Sequence, residues 1–306
     1  MTGRFAPSPT GDLHVGNLRT AFLAWLVARA AGESFVVRVE DLDRANSSAE
    51  HEASQLADLA AIGIDWDGPV LRQSERFARY DEQLARLTAA GRTYECYCTR
   101  REIREAASAP HGAGPAYPGT CRDLSDAERR RRRRDRPPAI RLRADLRKSI
   151  TIDDLLAGPV TGHPDDVVLR RNDGVPAYQL AVVDDDADQG VTTVVRGDDL
   201  VDSAISQRHL QHLLGRPEVT YAHVPLVVGP TGERLSKRDG AVTLADLAAA
   251  GIDTARVQTG LARSLGLLGP DETATPAELV TRFDLARVRA LGRFPVAWDD
   301  LQHTWS

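Results

Sequence analysis

The chain has 306 residues, 42% hydrophobic and 27% charged, with a net charge of −5 and a pI of about 5.9. That balance fits a folded globular protein large enough for a sizeable core. It excludes a disordered chain and a generally basic, non-specific nucleic-acid binder, but not a nucleic-acid partner met through a local patch. Apolar stretches such as AFLAWLVARAAG are interrupted by arginine and too short to span a bilayer. No basic leader precedes an apolar segment, so a cytoplasmic protein with no membrane partner is expected.

In chain order, residues 4–17, RFAPSPTGDLHVGN, run from a strand through a Pro- and Gly-rich turn into a helical pattern over about 17–31, which stops at Gly32. SFVVRVE, 34–40, reads as a buried strand with a charged end. Strand, turn, helix and strand make a parallel β-α-β unit. Ligands of open α/β sheets sit beyond the carboxyl ends of strands, which is where His14 and Glu40 both fall. SSAEHEASQLADLAAIGI predicts a helix capped by Ser47 or Ser48, with acids in its first turn.

Residues 94–124 differ in character, being rich in Cys, Gly, Pro and Ala, and include the loop ASAPHGAGPAYPG. Next come the consecutive arginines Arg129 to Arg134, flanked by Asp126, Glu128 and Asp135; a solvated helix face is expected there. From IRLR to about residue 200, the apolar runs VVLRR, AYQLAVVDD and TTVVRGDD predict strands returning to the sheet. Beyond 240 the pattern is helical in LADLAAAGI, TARVQTGLARSLGLLG and TPAELVTRF, and there is no internal repeat.

HVGN, 14–17, sits at a helix start, where free backbone N–H groups and the helix dipole favour an anion. Gly16 would let that anion approach the backbone, and His14 can donate to a phosphate oxygen. Neither P-loop spacing nor a GxGxxG fingerprint after a strand is present. RLSKRDG, 234–240, offers Ser236 and Lys237 after the apolar VPLVVGP; lysine is a compact charge suited to phosphate. The three cysteines, Cys96, Cys98 and Cys121, all fall in the 94–124 segment. In a reducing compartment such clustered thiols suggest zinc rather than disulfides, and zinc wants a fourth ligand.

Together, the HVGN corner and the RLSKR loop resemble the HIGH and KMSKS motifs of class I aminoacyl-tRNA synthetases, which bind ATP over a Rossmann-like sheet. RFAPSPTGDLHVGN, with RVEDLDR (38–44), WDGPVLRQSER (66–76) and VVRGDDL (194–200), resembles the glutamyl-tRNA synthetase family within that class, over residues 4 to at least 240. The resemblance implies an α/β catalytic domain in two halves, 1–93 and 125–240, around a zinc-binding insertion, 94–124. A helical region, 241–306, would follow, with no anticodon-binding domain. It implies a ligase that activates L-glutamate with ATP and Mg2+. His14, Gly16, Asn17, Ser236 and Lys237 would be the catalytic set, with His14, Gly16 and Lys237 on ATP.

By the same resemblance Arg4, Ser8, Glu40, Tyr178 and Arg196 would bind glutamate. That set suits a substrate with two carboxylates and one ammonium: two guanidinia, two hydroxyls and an acid. The implied fourth ligand of one structural zinc is Tyr117; phenolate is an uncommon zinc ligand, so His111 stays open as the alternative. The chain's extent and its cysteine segment resemble the truncated glutamyl-queuosine tRNA(Asp) synthetases, which place glutamate on the wobble base queuosine of tRNA(Asp), and a monomer is expected. Alternatives are a minimal synthetase charging tRNA(Glu), a related ligase with a small-molecule acceptor, and an inactive tRNA-binding paralogue. The intact His14, Gly16, Ser236 and Lys237 argue against the last.

Overall fold

A computed structural model of the chain describes residues 2–99, 101–103, 117–228, 242–292 and 295–297. The N-terminal part is β1 (Thr2–Phe5), α1 (Val15–Ala30), β2 (Ser34–Val39), α2 (Ala49–Ala61), β3 (Leu71–Arg72) and α3 (Phe77–Ala89). β4 (Thr93–Cys96), α4 (Asp126–Asp135), β5 (Ala139–Leu142), β6 (Ile150–Asp154), β7 (Gly158–Gly162) and β8 (Val168–Arg170) follow. Next are α5 (Tyr178–Asp188), β9 (Thr193–Gly197), α6 (Val201–Leu214), β10 (Thr220–Val224) and β11 (Val227–Val228). The last described elements are α7 (Leu244–Ala249), α8 (Thr254–Ser264), α9 (Pro276–Thr281), α10 (Leu285–Ala290) and β12 (Val296–Ala297).

The central sheet runs β3-β2-β1-β9-β10-β6-β7. All its pairings are parallel except the β6–β7 hairpin. The chain leaves β1 towards β2 on one side and returns much later as β9 on the other. The carboxyl ends of β1 and β9 therefore form a topological switch point, where the first connections diverge and leave a crevice. A smaller antiparallel sheet, β4-β5-β8, carries the cysteine segment.

The helix α1 crosses the sheet closely because β1 contains Gly3, where a Cβ would lie 2.8 Å from the Ala28 Cβ. Leu18, Phe22 and Leu26 of α1 are wholly buried, each contributing about 1.5–3 kcal/mol relative to exposure. Its far side is covered too. The buried Arg19 bonds Ser264 of α8 through Oγ (3.2 Å) and carbonyl (3.2 Å), and the Pro225 carbonyl beyond β10 (3.1 Å). Burial lowers the Arg19 pKa to about 10, so these three acceptors are what hold its charge inside. The C-terminal helices are thereby tied to the helix that opens the sheet.

Predicted elements recur with small shifts. The first helix begins at Val15 and is followed by Gly32 in a left-handed conformation (φ 68°), Ser48 caps α2 by accepting from the His51 amide, and LADLAAAGI, TARVQTGLARSLGLLG and TPAELVTRF contain α7, α8 and α9 as expected. AYQLAVVDD is a correction: it forms α5, not a strand. Leu180 to Asp186 are all buried, so the run has no polar face to reveal a helical period. VVLRR and IRLR do form strands, but in the small sheet rather than the central one. The arginine run is α4, with no buried residue; Arg129 pairs with Asp126 and Arg133 with Glu95. Among the described residues no helix is long and apolar enough to cross a membrane.

Candidate active site

A cavity of about 610 Å³ opens at the switch point. Arg4 reaches it from β1, Ser8 from the turn after β1, Glu40 from the end of β2, Tyr178 from the start of α5 and Arg196 from β9. His14, Gly16 and Asn17 line the same cavity at the start of α1. The fold thus gathers all five residues predicted for glutamate beside the predicted phosphate corner. A second recess of about 510 Å³, lined by residues of α8 and α9 such as Arg256 and Glu278, shares none of them.

The floor is a buried ionic lattice that sequence reasoning missed. Arg38, fully buried, pairs with Glu40 (3.3 Å) and Asp186 (2.8 Å) and donates to Gln189 (2.9 Å). Arg4 approaches Asp186 (3.6 Å) and donates to the Val195 carbonyl (3.1 Å). Asp185 accepts from Gln73 (2.9 Å), Tyr80 (2.7 Å) and Arg76 (2.8 Å). Burial pushes the Glu40 carboxyl above its ordinary range, and Arg38 and Arg4 only partly offset that. Its ionised form, the one that accepts from an ammonium, is therefore lost at a higher pH than for an exposed glutamate. Opposite, Arg196 donates to Gln207 (2.8 Å), the Leu200 carbonyl (3.1 Å) and Tyr178 Oη (3.4 Å).

His14 is the N-cap of α1, and its Nδ1 accepts from the Gly16 amide (3.1 Å). Asn17 Oδ1 accepts the His14 amide in return (3.3 Å), completing a capping box. With Nδ1 an acceptor, the proton of the neutral ring is on Nε2, the nitrogen suited to donate to a phosphate oxygen. The expectation of free amides needs correction. The N–H of Val15 bonds the Val242 carbonyl (3.0 Å), Gly16 is taken by His14, and Asn17 bonds the His14 carbonyl (2.8 Å). Gly16 earns its place differently: a Cβ there would sit 3.0 Å from the His14 Cε1, crowding the ring. Ser236 and Lys237 lie outside the described residues, but Val227 before them lines the cavity and Thr243 after them bridges to His14.

At β4 the sulfurs of Cys96, Cys98 and Cys121 lie within 4.8 Å of one another, and Cys98 and Cys121 are 3.5 Å apart. Tyr117 Oη is 3.3 Å from the Cys96 sulfur and 3.5 Å from that of Cys98, and it accepts the Cys121 amide (2.9 Å). The Arg141 guanidinium lies over the Tyr117 ring, 3.7 Å from its centroid. Sulfurs bound at about 2.3 Å in a tetrahedron sit ~3.8 Å apart, so the trio fits a zinc ion with little movement. The Tyr117 oxygen lies against the trio; His111, the alternative fourth ligand, lies outside the described residues.

A family model described as tRNA synthetases class I (E and Q), catalytic domain, matches residues 1–291. The chain belongs to that synthetase family. Among relatives of this synthetase domain, the glutamyl-Q tRNA(Asp) synthetase of Nocardia farcinica is 60% identical, over 94% of this chain and 90% of the relative. The glutamate–tRNA ligase of Geobacter sulfurreducens is 40% identical over 93% of this chain, which spans 61% of that protein. Among solved structures, a glutamate tRNA ligase from Elizabethkingia meningosepticum in complex with its amino acid superposes with a TM-score of 0.81 at 27% identity. The match covers 99% of this chain and 68% of that one.

Proposed function

We propose that this synthetase joins L-glutamate to AMP and passes the glutamyl group to queuosine in tRNA(Asp). The observation that carries the reading is the convergence of Arg4, Ser8, Glu40, Tyr178 and Arg196 on one cavity beside His14. Two guanidinia answer the two carboxylates of glutamate, and Glu40 answers its ammonium. In the first step an α-carboxylate oxygen attacks the α-phosphorus of ATP. The bond to the bridging oxygen breaks, and pyrophosphate leaves with its electron pair. Magnesium carried in with ATP neutralises phosphate charge. The His14 Nε2–H holds a phosphate oxygen, the dipole of α1 favours negative charge there without offering its first amides, and the Lys237 ammonium takes charge from the departing pyrophosphate. No covalent enzyme intermediate is needed, so catalysis rests on alignment and charge stabilisation. In the second step a hydroxyl of the queuosine ring attacks the activated carbonyl and AMP leaves.

Identity of 60% to a glutamyl-Q tRNA(Asp) synthetase, against 40% to a glutamate–tRNA ligase, supports this acceptor over the 3′ end of tRNA(Glu). The deciding experiment is glutamate-dependent ATP–pyrophosphate exchange without tRNA, followed by transfer of labelled glutamate to queuosine-containing tRNA(Asp). Exchange only in the presence of tRNA(Glu) would move the reading to a minimal glutamyl-tRNA synthetase. No exchange under any condition would leave a binding paralogue. Lys237→Ala is expected to slow exchange about 100-fold or more; a variant near the wild-type rate would remove Lys237 from the mechanism.

The thiol cluster is read as a structural zinc site, since three thiolates and a phenolate leave no open position for catalysis. Cys98→Ser is expected to lose the metal and lower the thermal midpoint by about 4 °C or more. Elemental analysis beside a melting curve checks this, and an unchanged midpoint in metal-free protein would reduce the trio to ordinary buried thiols.

A further inference from the structure

Next to Arg196 stands a histidine that does not itself line the cavity. His223 is the register partner of Arg196 on the adjacent parallel strand β10, so the two side chains share a face. The Arg196 Nε–H donates to His223 Nε2 at 3.2 Å. A guanidinium is always a donor, so Nε2 must be the bare nitrogen of a neutral ring and the proton must be on Nδ1. That Nδ1 lies 2.6 Å from Asp154 Oδ2. Asp154, at the end of β6, is itself fixed: it accepts from the His223 amide (3.1 Å) and from the amides of Leu156 (2.9 Å) and Ala157 (2.8 Å). His223 and Asp154 are both buried.

We infer that Asp154 and His223 are a positioning relay, in which the carboxylate sets the tautomer of the imidazole and the imidazole sets the plane of the Arg196 guanidinium. The relay rests on the reading of Arg196 as a carboxylate-binding residue. Of the five N–H donors of an arginine, Arg196 commits one to His223, two to Gln207 and Tyr178, and one to the Leu200 carbonyl. Among the described residues one Nη2 hydrogen remains uncommitted, and Tyr178 Oη stands 3.4 Å from Nη1. Tyr221 supports the arrangement from below: its ring stacks on His223 with centroids 5.5 Å apart, and the Arg196 guanidinium lies 5.1 Å from its centroid. Charged neighbours of the imidazole keep the assignment consistent. Burial lowers the His223 pKa, Arg196 opposes a second proton, and Asp154 and Asp198 compensate only in part. Burial also works against charge on Asp154, but the His223 N–H and the two loop amides outweigh it and hold that carboxyl below its ordinary range. A carboxylate orienting a neutral imidazole that then accepts from a substrate-binding guanidinium is the second layer that a preorganised site requires.

The relay is tested first by nitrogen NMR of the His223 ring at neutral pH, with the resonance assigned by its loss in His223→Gln. A protonated Nδ1 and bare Nε2 are expected; the opposite tautomer, or an imidazolium, overturns the proposal whatever the enzyme's activity. The second test is glutamate-dependent pyrophosphate exchange. His223→Leu is expected to raise the KM for glutamate by about 10–100-fold, with the KM for ATP unchanged. His223→Gln, whose side-chain oxygen replaces Nε2 as acceptor, should recover most of the loss. Asp154→Asn can donate to Nδ1 and drive the ring proton to Nε2, so it should fall with His223→Leu rather than with the wild type. A folded His223→Leu or Asp154→Asn enzyme with wild-type KM for glutamate overturns the relay. A wild-type protein without exchange removes the reading of Arg196 instead, and the tautomer measurement still decides the geometry.

Discussion

Replacing Arg196 by lysine is expected to lower kcat/KM for glutamate by about 10²–10³-fold with the KM for ATP little changed. The charge is kept, but the planar fork is not. A lysine cannot reach His223, Gln207 and the Leu200 carbonyl together, all of which the guanidinium now satisfies. Each lost bond from a charged donor costs about 1.5–3 kcal/mol, and buried acceptors left bare add to that. A fall of 10²–10³-fold corresponds to about 2.7–4.1 kcal/mol of transition-state stabilisation, the loss expected when a loosened ammonium no longer aligns with the substrate carboxylate. Pyrophosphate exchange across glutamate concentrations measures it. A lysine variant within a few-fold of wild type would mean that Arg196 acts as a point charge only, or that the carboxylate is held elsewhere.

Arg38→Met is expected to be the most destabilising single change near the site, by about 3–5 kcal/mol in chemical denaturation. Arg38 is wholly buried among Glu40, Asp185 and Asp186. Removing one partner from a buried ion pair leaves the other charges uncompensated, which is where the cost arises. The loss should be largest at neutral and high pH, because burial holds the carboxyls of Glu40 and Asp185 above their ordinary range and acid neutralises them. Adding Asp186→Leu to Arg38→Met should recover part of the stability, since the pair interact directly. A single variant within about 1 kcal/mol of wild type would show that the lattice is hydrated or relaxes easily.

The sequence announces part of this site plainly and conceals the rest, for physical reasons. Glu40 and Arg196 fall at strand ends and His14 at a helix start, all inside recognisable motifs, and the fold brings them to one cavity. The α5 helix was hidden because burial on every side erases the alternation that marks an amphipathic helix, and its Asp184, Asp185 and Asp186 look like a polar boundary. In the fold those acids are surrounded by Arg38, Arg76, Arg79 and Arg216, contributed by other elements. Likewise nothing local connects Asp154 with His223; only the pairing of β6 with β10 makes them neighbours. The β6–β7 hairpin is faint in the sequence although its first strand alternates, because two aspartates follow its isoleucines and a Gly-Pro step opens the return. The amides at the start of α1 were expected to be open because a motif records residue types, not which of their hydrogen bonds the fold already uses.

The cavity borrows its polar groups from separate stretches of chain, from Arg4 on the first strand to Arg196 on the ninth. None of these stretches can form the pocket alone, so unfolding abolishes it as a whole. Any molecule that fills it is therefore drawn to the native state only, and mass action makes its binding part of the folding equilibrium. At a ligand concentration 100 times the dissociation constant that coupling is worth about 2.7 kcal/mol, comparable to what a buried leucine contributes. The substrate of this enzyme is thus also a component of its stability, and the charges assembled at the cost of burying them are offset further whenever the pocket is full.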